Sequence, residues 1–454
     1  LKLCDHFVIL LLVDCLRLWN NGLCGRSVVF SPSSYDEEFF MNEYRIDGEA
    51  LLQRFLRYAQ VDTMSDPHEL EENHPSTPGQ WDLLRMLERE LKDFGVQDVS
   101  LDDKGFLLAL LPANTEGVPP IGFMAHVDTA DDVMGNGVRP RVIRAYDGGD
   151  ISLNDQVVLR ADDPELSHYV GQTIIVTDGY TLLGSDDKAG VAEIMTAVKY
   201  LLDNPSVPHG PVEIIFTPDE ETGAGIDHFP FASLRSEACY TVDGGRRYEI
   251  ETECFNAATV RVHFSGIAAH LGAARGKMVN ALTMATTFIH SLPQAESPEA
   301  TDGRYGYYCA QEINGNATDI DLTLYLRDFD LDNLNRRINA LLSLGRVIEE
   351  LFPGGKCSVD SKIVYYNMAG SAKEHPQVVS AIYEAGEELG MPLFESIIRG
   401  GTDGARLAEK GIPCPNLFTG GHNLHSLREW AALPAMVDSV RLVLGIVGQW
   451  AKGR

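Results

Sequence analysis

IGFMAHVDT (residues 121–129) is an apolar run that ends on a histidine and an aspartate, and GSDDKAGVAEIMTAVKYLL (residues 184–202) is a glycine-flanked acidic pair that runs straight into a helical pattern. The first has the length and composition of a buried strand over Ile121 to Val127. In the second, Val191, Ala192, Ile194, Met195, Val198, Leu201 and Leu202 recur at the spacing of one broad helix face. A strand ending in a polar loop and a long helix opening from another is α/β logic, and it extends in both directions. Upstream, Leu51, Leu52, Phe55, Leu56 and Ala59 mark one helix, and Leu83, Leu84, Leu87, Leu91 and Phe94 mark a second that stops at Gly95, a natural left-handed cap. Downstream, Val212 to Thr217 and Cys239 to Val242 read as further strands.

The pattern changes at about Glu253. Strands over Ala258 to Phe264 and Ile320 to Phe329 accompany long helices over Val279 to Ser291 and Leu331 to Leu351, which reads as an inserted α+β domain. The α/β pattern resumes near Ser371, passes through Pro376 to Leu389 and closes with a helix over Ala435 to Trp450. The expected divisions are an N-terminal extension (1–42), a first α/β part (43–253), the insert (254–368) and a second α/β part (369–454). The extension matches nothing that follows it, reads as disordered or not native, and makes Met41 the expected start.

Lys plus Arg number 37 against 66 Asp plus Glu, a formal net charge of -29 over 454 residues. Such a chain repels nucleic acid and anionic membrane surfaces, so neither is an expected partner, and cationic or zwitterionic ligands are favoured. Eight cysteines without a C-x-x-C pair suit a reducing compartment, and a cytoplasmic location is expected. The apolar run from Phe7 to Val13 is far too short to span a membrane. Asp14, Cys15 and Arg17 follow it where a signal-peptide cleavage site would need small residues.

Chemistry-bearing residues gather at predicted strand ends. His126 and Asp128 are two apart and therefore share a face where the first strand ends, the region in which α/β sheets collect their sites. Asp186 and Asp187 precede a helix, where N-terminal capping by itself accounts for them more simply than metal binding. Asp219, Glu220 and Glu221 are three consecutive acids whose repulsion must be relieved by solvent or by a cation. Asp243 ends another strand before Gly244 and Gly245, and the loop Gly420 to Glu429 holds His422 and His425. Imidazoles mixed with carboxylates suit two borderline-soft divalent cations such as zinc, with one carboxylate bridging them. There is no His-Glu-x-x-His, P-loop, Gly-x-Ser-x-Gly elbow or dinucleotide fingerprint.

In Thr181–Gly190, Pro218–Gly223, Gly276–Asn280 and Gly400–Ala405 the chain resembles the di-zinc peptidases and deacylases that include carboxypeptidase G, succinyl-diaminopimelate desuccinylase and aminoacylase. Within them it is most similar to the tripeptide aminopeptidases, and the similarity runs from about Glu43 to the C terminus. The resemblance implies a mixed-sheet catalytic domain flanked by helices, a ferredoxin-like α+β lid and two zinc ions per subunit. His126 and Asp243 would bind one zinc, Glu221 and His425 the other, and Asp186 would bridge them. His425 is preferred to His422 because relatives carry an acid four residues after the ligand, here Glu429. Glu220 would be the general base and Asp128 would orient His126. The Asp186–Asp187 peptide would be cis.

His270 would stabilise the oxyanion, although Leu271 stands where relatives carry proline. Arg327 and Arg399 would grip the carboxylate end of a short peptide, as bidentate guanidinium groups can; an ordinary surface or interdomain ion pair is the alternative. The implied reaction is release of the first residue from a short peptide, most of all a tripeptide. A deacylase, a dipeptidase of the same family, or an inactive zinc-binding interaction protein are the alternatives. Asp187 is one candidate for the substrate ammonium, and the oligomeric state stays open.

Overall fold

The computed structural model describes residues 44–70 and 72–453. The expected extension over 1–42 lies outside the described residues.

An eight-stranded sheet runs, edge to edge, through Asp98–Leu101, Leu107–Leu111, Val212–Thr217, Ile121–His126, Ala238–Gly244, Asn416–Phe418, Glu249–Cys254 and Phe394–Ile398. Its centre is parallel, and antiparallel pairings flank it, so the sheet is mixed. Ile121–His126 and Val212–Thr217 are buried along their whole length, which is why their sequences are continuously apolar rather than alternating. Parity still decides the partners. Phe123 and Ala125 join one core cluster with helices Gly48–Ala59, Pro78–Phe94, Ser185–Asp203, Pro376–Glu388 and Leu433–Ala451, whereas Met124 joins a second cluster with Phe106, Ile215 and Leu407 on the other face.

Four antiparallel strands form the second sheet, in the order Tyr307–Gly315, Asp319–Asp328, Asn256–Ser265, Lys356–Tyr365. With helices Ala281–His290 and Leu331–Leu351 the chain order is β-α-β-β-α-β, the ferredoxin-like arrangement. Alternate residues Ala258, Val260, Val262 and Phe264, with Ile320, Leu322, Leu324 and Leu326, bury one face under these helices. The opposite face is left for a cleft. A third sheet, joining Gly421–His422, Trp430–Ala432, Ile174–Val176 and Arg141–Ile143, was not expected. Its strands are two or three residues long, too short for any periodicity to announce them. Among the described residues, no helix is long and apolar enough to cross a membrane.

In helix Ser185–Asp203, Glu193 is fully buried, accepts a bond from Ser439 Oγ on its Oε2 at 2.5 Å, and has no partner on Oε1. Burial pushes its carboxyl well above the ordinary range despite the Ser439 bond. A carboxyl that holds its proton more tightly folded than unfolded contributes stability below its unfolded pKa of about 4.3, and that contribution is lost as pH rises through the folded value. Glu193→Gln is therefore expected to raise the melting temperature at pH 8 and to lose that advantage toward pH 4.5. A difference that does not change with pH would show that Glu193 does not titrate with folding.

Candidate metal centre and active site

The strand Ile121–His126 delivers His126 at its C-terminal end, with Nε2 3.0 Å from Asp186 Oδ1 and 3.4 Å from Asp243 Oδ1. The other oxygen of Asp186, Oδ2, lies 3.2 Å from His425 Nε2, and that nitrogen is 3.1 Å from Glu221 Oε1. One carboxylate thus faces an imidazole with each of its oxygens, as a bridge between two cations must. The Asp186–Asp187 peptide is cis. His425 has φ +58, a conformation that side chains other than glycine rarely adopt and that marks functional loops.

Four acids hold these groups by accepting from backbone N–H groups. Asp128, fully buried, takes Glu220 N on Oδ1 at 3.0 Å and Glu221 N on Oδ2 at 3.1 Å, while its Oδ1 is 3.3 Å from His126 Nδ1. It orients the imidazole and the acidic loop together. Glu429 takes Leu183 N, Gly184 N and Ser185 N at 2.6–2.9 Å, with Ser185 Oγ at 2.6 Å, and so clamps the loop that carries Asp186. Asp219 takes Ser76 N, Ser76 Oγ and Gln80 Nε2, pinning the other end of its acidic run to the start of helix Pro78–Phe94. Asp187 takes His126 N at 3.2 Å and Gly190 N at 3.1 Å.

The capping and metal readings of the acidic pair therefore divide between its members: Asp187 caps the helix and Asp186 faces the imidazoles. Two sets of donor atoms cluster within 4.8 Å, His126–Asp187–Asp243 and His126–Asp186–Glu221. We favour Asp186 over Asp187 in both, because each Asp187 oxygen already accepts a backbone bond and the residue is fully buried. For the same reason Asp187 is removed as a partner for the substrate ammonium.

The donor set fits divalent cations. Burial pushes Asp243 up to about 6, and burial with repulsion from Asp186 pushes Glu221 up to about 7. Burial also raises Glu220 well above the carboxylate range and Asp403 to about 7. At Asp186 burial acts upward too, but bonds from His126 and His425 outweigh it and hold the carboxyl low. His425 is raised to about 12 by its bonds to Asp186 and Glu221. Several desolvated carboxylates beside only two imidazoles need more positive charge than the protein supplies, and a dication at each imidazole meets that need.

Glu220 lines a cleft of about 710 Å³ together with Glu221, His425, Asp132, Arg327 and Asp403. Among the described residues Arg327 forms no ion pair, and its guanidinium lies over the rings of Tyr325 and Tyr365. Arg399 is placed differently. Its donors go to Gly303 O, Tyr305 O, Thr301 O and Thr301 Oγ1, so in this structure it ties the lid loop to the catalytic sheet and lines no part of the cleft. His270 is exposed, accepts from Gly272 N at 3.2 Å and lies outside the cleft lining. His422 stacks on Trp430 at 4.0 Å, and burial pushes it down to about 4.

The cleft residues Asp132, Tyr365 and Asp403 were not singled out from sequence. Asp403 sat in a quoted motif, Gly400–Ala405, that could have revealed it; Asp132, whose Oδ2 is 3.1 Å from His425 Nδ1, lies in a loop without a pattern. Glu429 had served only to choose between two histidines. Glu429→Ala would leave three buried N–H groups unpaired, at about 1–3 kcal/mol each. We expect a clear loss of thermal stability and at least about a tenfold loss of divalent-metal affinity, read by competition with a chromophoric chelator.

The family model for peptidase family M20/M25/M40 matches residues 178–449. Peptidase T of Geobacillus thermodenitrificans is 43% identical over 401 residues, covering 87% of this chain and 97% of that protein. Peptidase T of Clostridium novyi is 43% identical over 408 residues, 89% of this chain and 100% of that one. Among solved structures, aminopeptidase PepT from Bacillus cereus is similar with a TM-score of 0.70 at 25% identity, covering 89% and 99% of the two chains. A dinuclear metal-binding M20 peptidase from Bacillus subtilis, at 13% identity and a TM-score of 0.59, covering 88% of this chain and 97% of its own, shares the fold. The chain belongs to peptidase family M20/M25/M40 and, within it, to the peptidase T group.

Proposed function

We propose that this chain is a zinc-dependent aminopeptidase that releases the N-terminal residue of short peptides, above all tripeptides, in the cytoplasm. The observation that carries the reading is the Asp186 carboxylate set between His126 and His425, with Glu220 in the same cleft as an arginine that has no acidic partner among the described residues. The peptidase T relatives, at 43% identity over nearly their whole length, support the activity. The described cysteines, Cys239, Cys254, Cys309, Cys357 and Cys414, are all free thiols, which supports a reducing compartment.

His126 and Asp243 would hold one zinc and Glu221 and His425 the other, with Asp186 shared. When bound, such a pair supplies Lewis acidity and lowers the pKa of water toward neutrality. The protein's own groups do the rest. Asp128 fixes the tautomer of His126 by accepting from Nδ1. It also holds the Glu220 backbone, so that the Glu220 carboxylate stays in the cleft while it takes the proton of the attacking water. Glu220 then returns that proton to the leaving amine nitrogen. Arg327 pairs with the carboxylate of the peptide and so sets its direction and reach.

The test is a side-by-side digestion, followed by mass, of an unblocked tripeptide, its N-acetylated form, its C-terminally amidated form and the matching dipeptide. Release of the first residue from the unblocked tripeptide, with the amidated form cleaved much more weakly and the acetylated and two-residue forms left intact, is the expected result. Cleavage of the acetylated or two-residue substrate instead would move the assignment to a deacylase or dipeptidase, and no cleavage of any would leave a zinc-binding protein without catalysis. A chelator is expected to abolish turnover and added zinc to restore it. Glu220→Gln is expected to keep its metal and lose roughly a thousandfold in kcat; near-normal turnover would remove Glu220 as the base.

A further inference from the structure

The two histidines of the cluster are held alike. His126 turns Nε2 toward Asp186 and Asp243 and sets Nδ1 3.3 Å from Asp128 Oδ1. His425 turns Nε2 toward Asp186 and Glu221 and sets Nδ1 3.1 Å from Asp132 Oδ2. Each imidazole thus has one nitrogen among the clustered acids and the other on a carboxylate behind it. Both of these outer carboxylates come from one short stretch, Asp128-Thr129-Ala130-Asp131-Asp132, which leaves the C-terminal end of the strand Ile121–His126.

That stretch is fixed independently of the cluster. Thr129 N donates to Thr63 O at 3.2 Å, and Thr129 O accepts from Ser65 N at 3.0 Å. Beyond Asp132, Met134 O accepts from Leu182 N at 3.0 Å, one residue before the segment that Glu429 clamps. Asp132 is therefore tied to the loop that carries Asp186, while its side chain reaches a histidine 293 residues further on. His425 depends on such a contact. Whereas His422 stacks on Trp430, no ring among the described residues packs against His425, and its side chain is 38% exposed. Hydrogen bonds rather than packing set the direction of its ring. An imidazole that donates its Nδ1 proton to a carboxylate keeps the Nε2 lone pair for a cation.

We propose that Asp132 is the positioning residue of the second metal site: its carboxylate accepts from His425 Nδ1, fixes the tautomer and aims Nε2 at the space between Asp186 and Glu221. The inference rests on the two-metal reading given above. Asp132 does for His425 what Asp128 does for His126, but the two pairs differ in their surroundings. The side chains of His126 and Asp128 are 3% and 0% exposed, those of His425 and Asp132 38% and 61%. Water and salt weaken an exposed charged contact, so the second site is the weaker and the more salt-sensitive of the two.

The test is the affinity of the full chain for zinc at its two sites, read by competition with a chromophoric chelator. His425→Ala identifies the second site as the one it removes. We expect Asp132→Ala to weaken that same site about tenfold, the lower end of the range for loss of an outer partner of a metal-binding histidine. The other site should stay within about twofold, and the melting temperature of the metal-free protein should not change. Asp132→Asn, whose amide oxygen can still accept from Nδ1, should restore part of the loss, and added salt should narrow the gap between wild type and Asp132→Ala. Asp131→Ala removes the same charge from the neighbouring exposed residue and should leave both affinities unchanged. Unchanged affinities in Asp132→Ala, an equal loss in Asp131→Ala, or weakening of the site that survives in His425→Ala would overturn the proposal. A higher KM for unblocked tripeptides with no change in metal affinity would overturn it too, by making Asp132 a partner of the substrate ammonium. A wild type that binds fewer than two zinc ions would overturn the two-metal reading first and this one with it.

Discussion

Everything in the active region answers to one constraint: carboxylates from several loops are crowded around two imidazoles in a largely buried space. Asp186, Glu220, Glu221, Asp243 and Asp403 repel one another where water cannot screen them. Such a cluster is stable only if each loop is held by something other than the cluster itself, and if cations complete it. The first condition is met by backbone hydrogen bonds. Asp128, Asp187, Asp219 and Glu429 each turn a buried carboxylate toward main-chain N–H donors, and those bonds set the positions of the loops that carry the clustered acids. An acid used in this way is a fastener, and its neighbour in sequence is free to be a ligand or a base.

This explains why the acidic runs look redundant and are not. In Asp219-Glu220-Glu221, the first residue anchors to Ser76 and Gln80, the second stands in the cleft and the third faces His425. In Asp186-Asp187, the first faces both imidazoles and the second braces the strand of His126. Fully buried parallel strands at the centre of the large sheet bring His126, the acidic run and Asp243 to one edge of it. The ferredoxin-like insert buries one sheet face under its helices and turns the other, polar and aromatic, toward that edge, where it forms the opposite wall of the cleft.

Much of this was legible without coordinates, for a physical reason in each case. The strand Ile121–His126 and the helix after Gly184 were visible because burial on two faces, or on a broad helical stripe, leaves long apolar patterns. The long helix Leu331–Leu351 has the bounds that were read for it, and in the structure Asp330 caps its start. The short sheet through Trp430–Ala432 was not visible, because two- and three-residue strands carry no period. Arg399 matched a family arginine by motif, but whether a guanidinium reaches solvent, substrate or a carbonyl is decided by what folds next to it, here the loop around Thr301 to Tyr305.

The sequence by itself determined the α/β class, the inserted α+β unit and the candidate residues at strand ends, because those follow from hydrophobic period and from local chemistry. Tertiary structure alone decided which acid faces an imidazole, which stands in the cleft and which fastens a loop, since Asp186 and His425 meet across 239 residues of chain and no local pattern encodes that distance. It alone also turned Tyr365 into the cleft, through one extra residue, Val364, in the strand Lys356–Tyr365 and a glycine, Gly401, three elements further along the chain. Side-chain direction at a bulge depends on pairing with another strand, and pairing is a property of the fold.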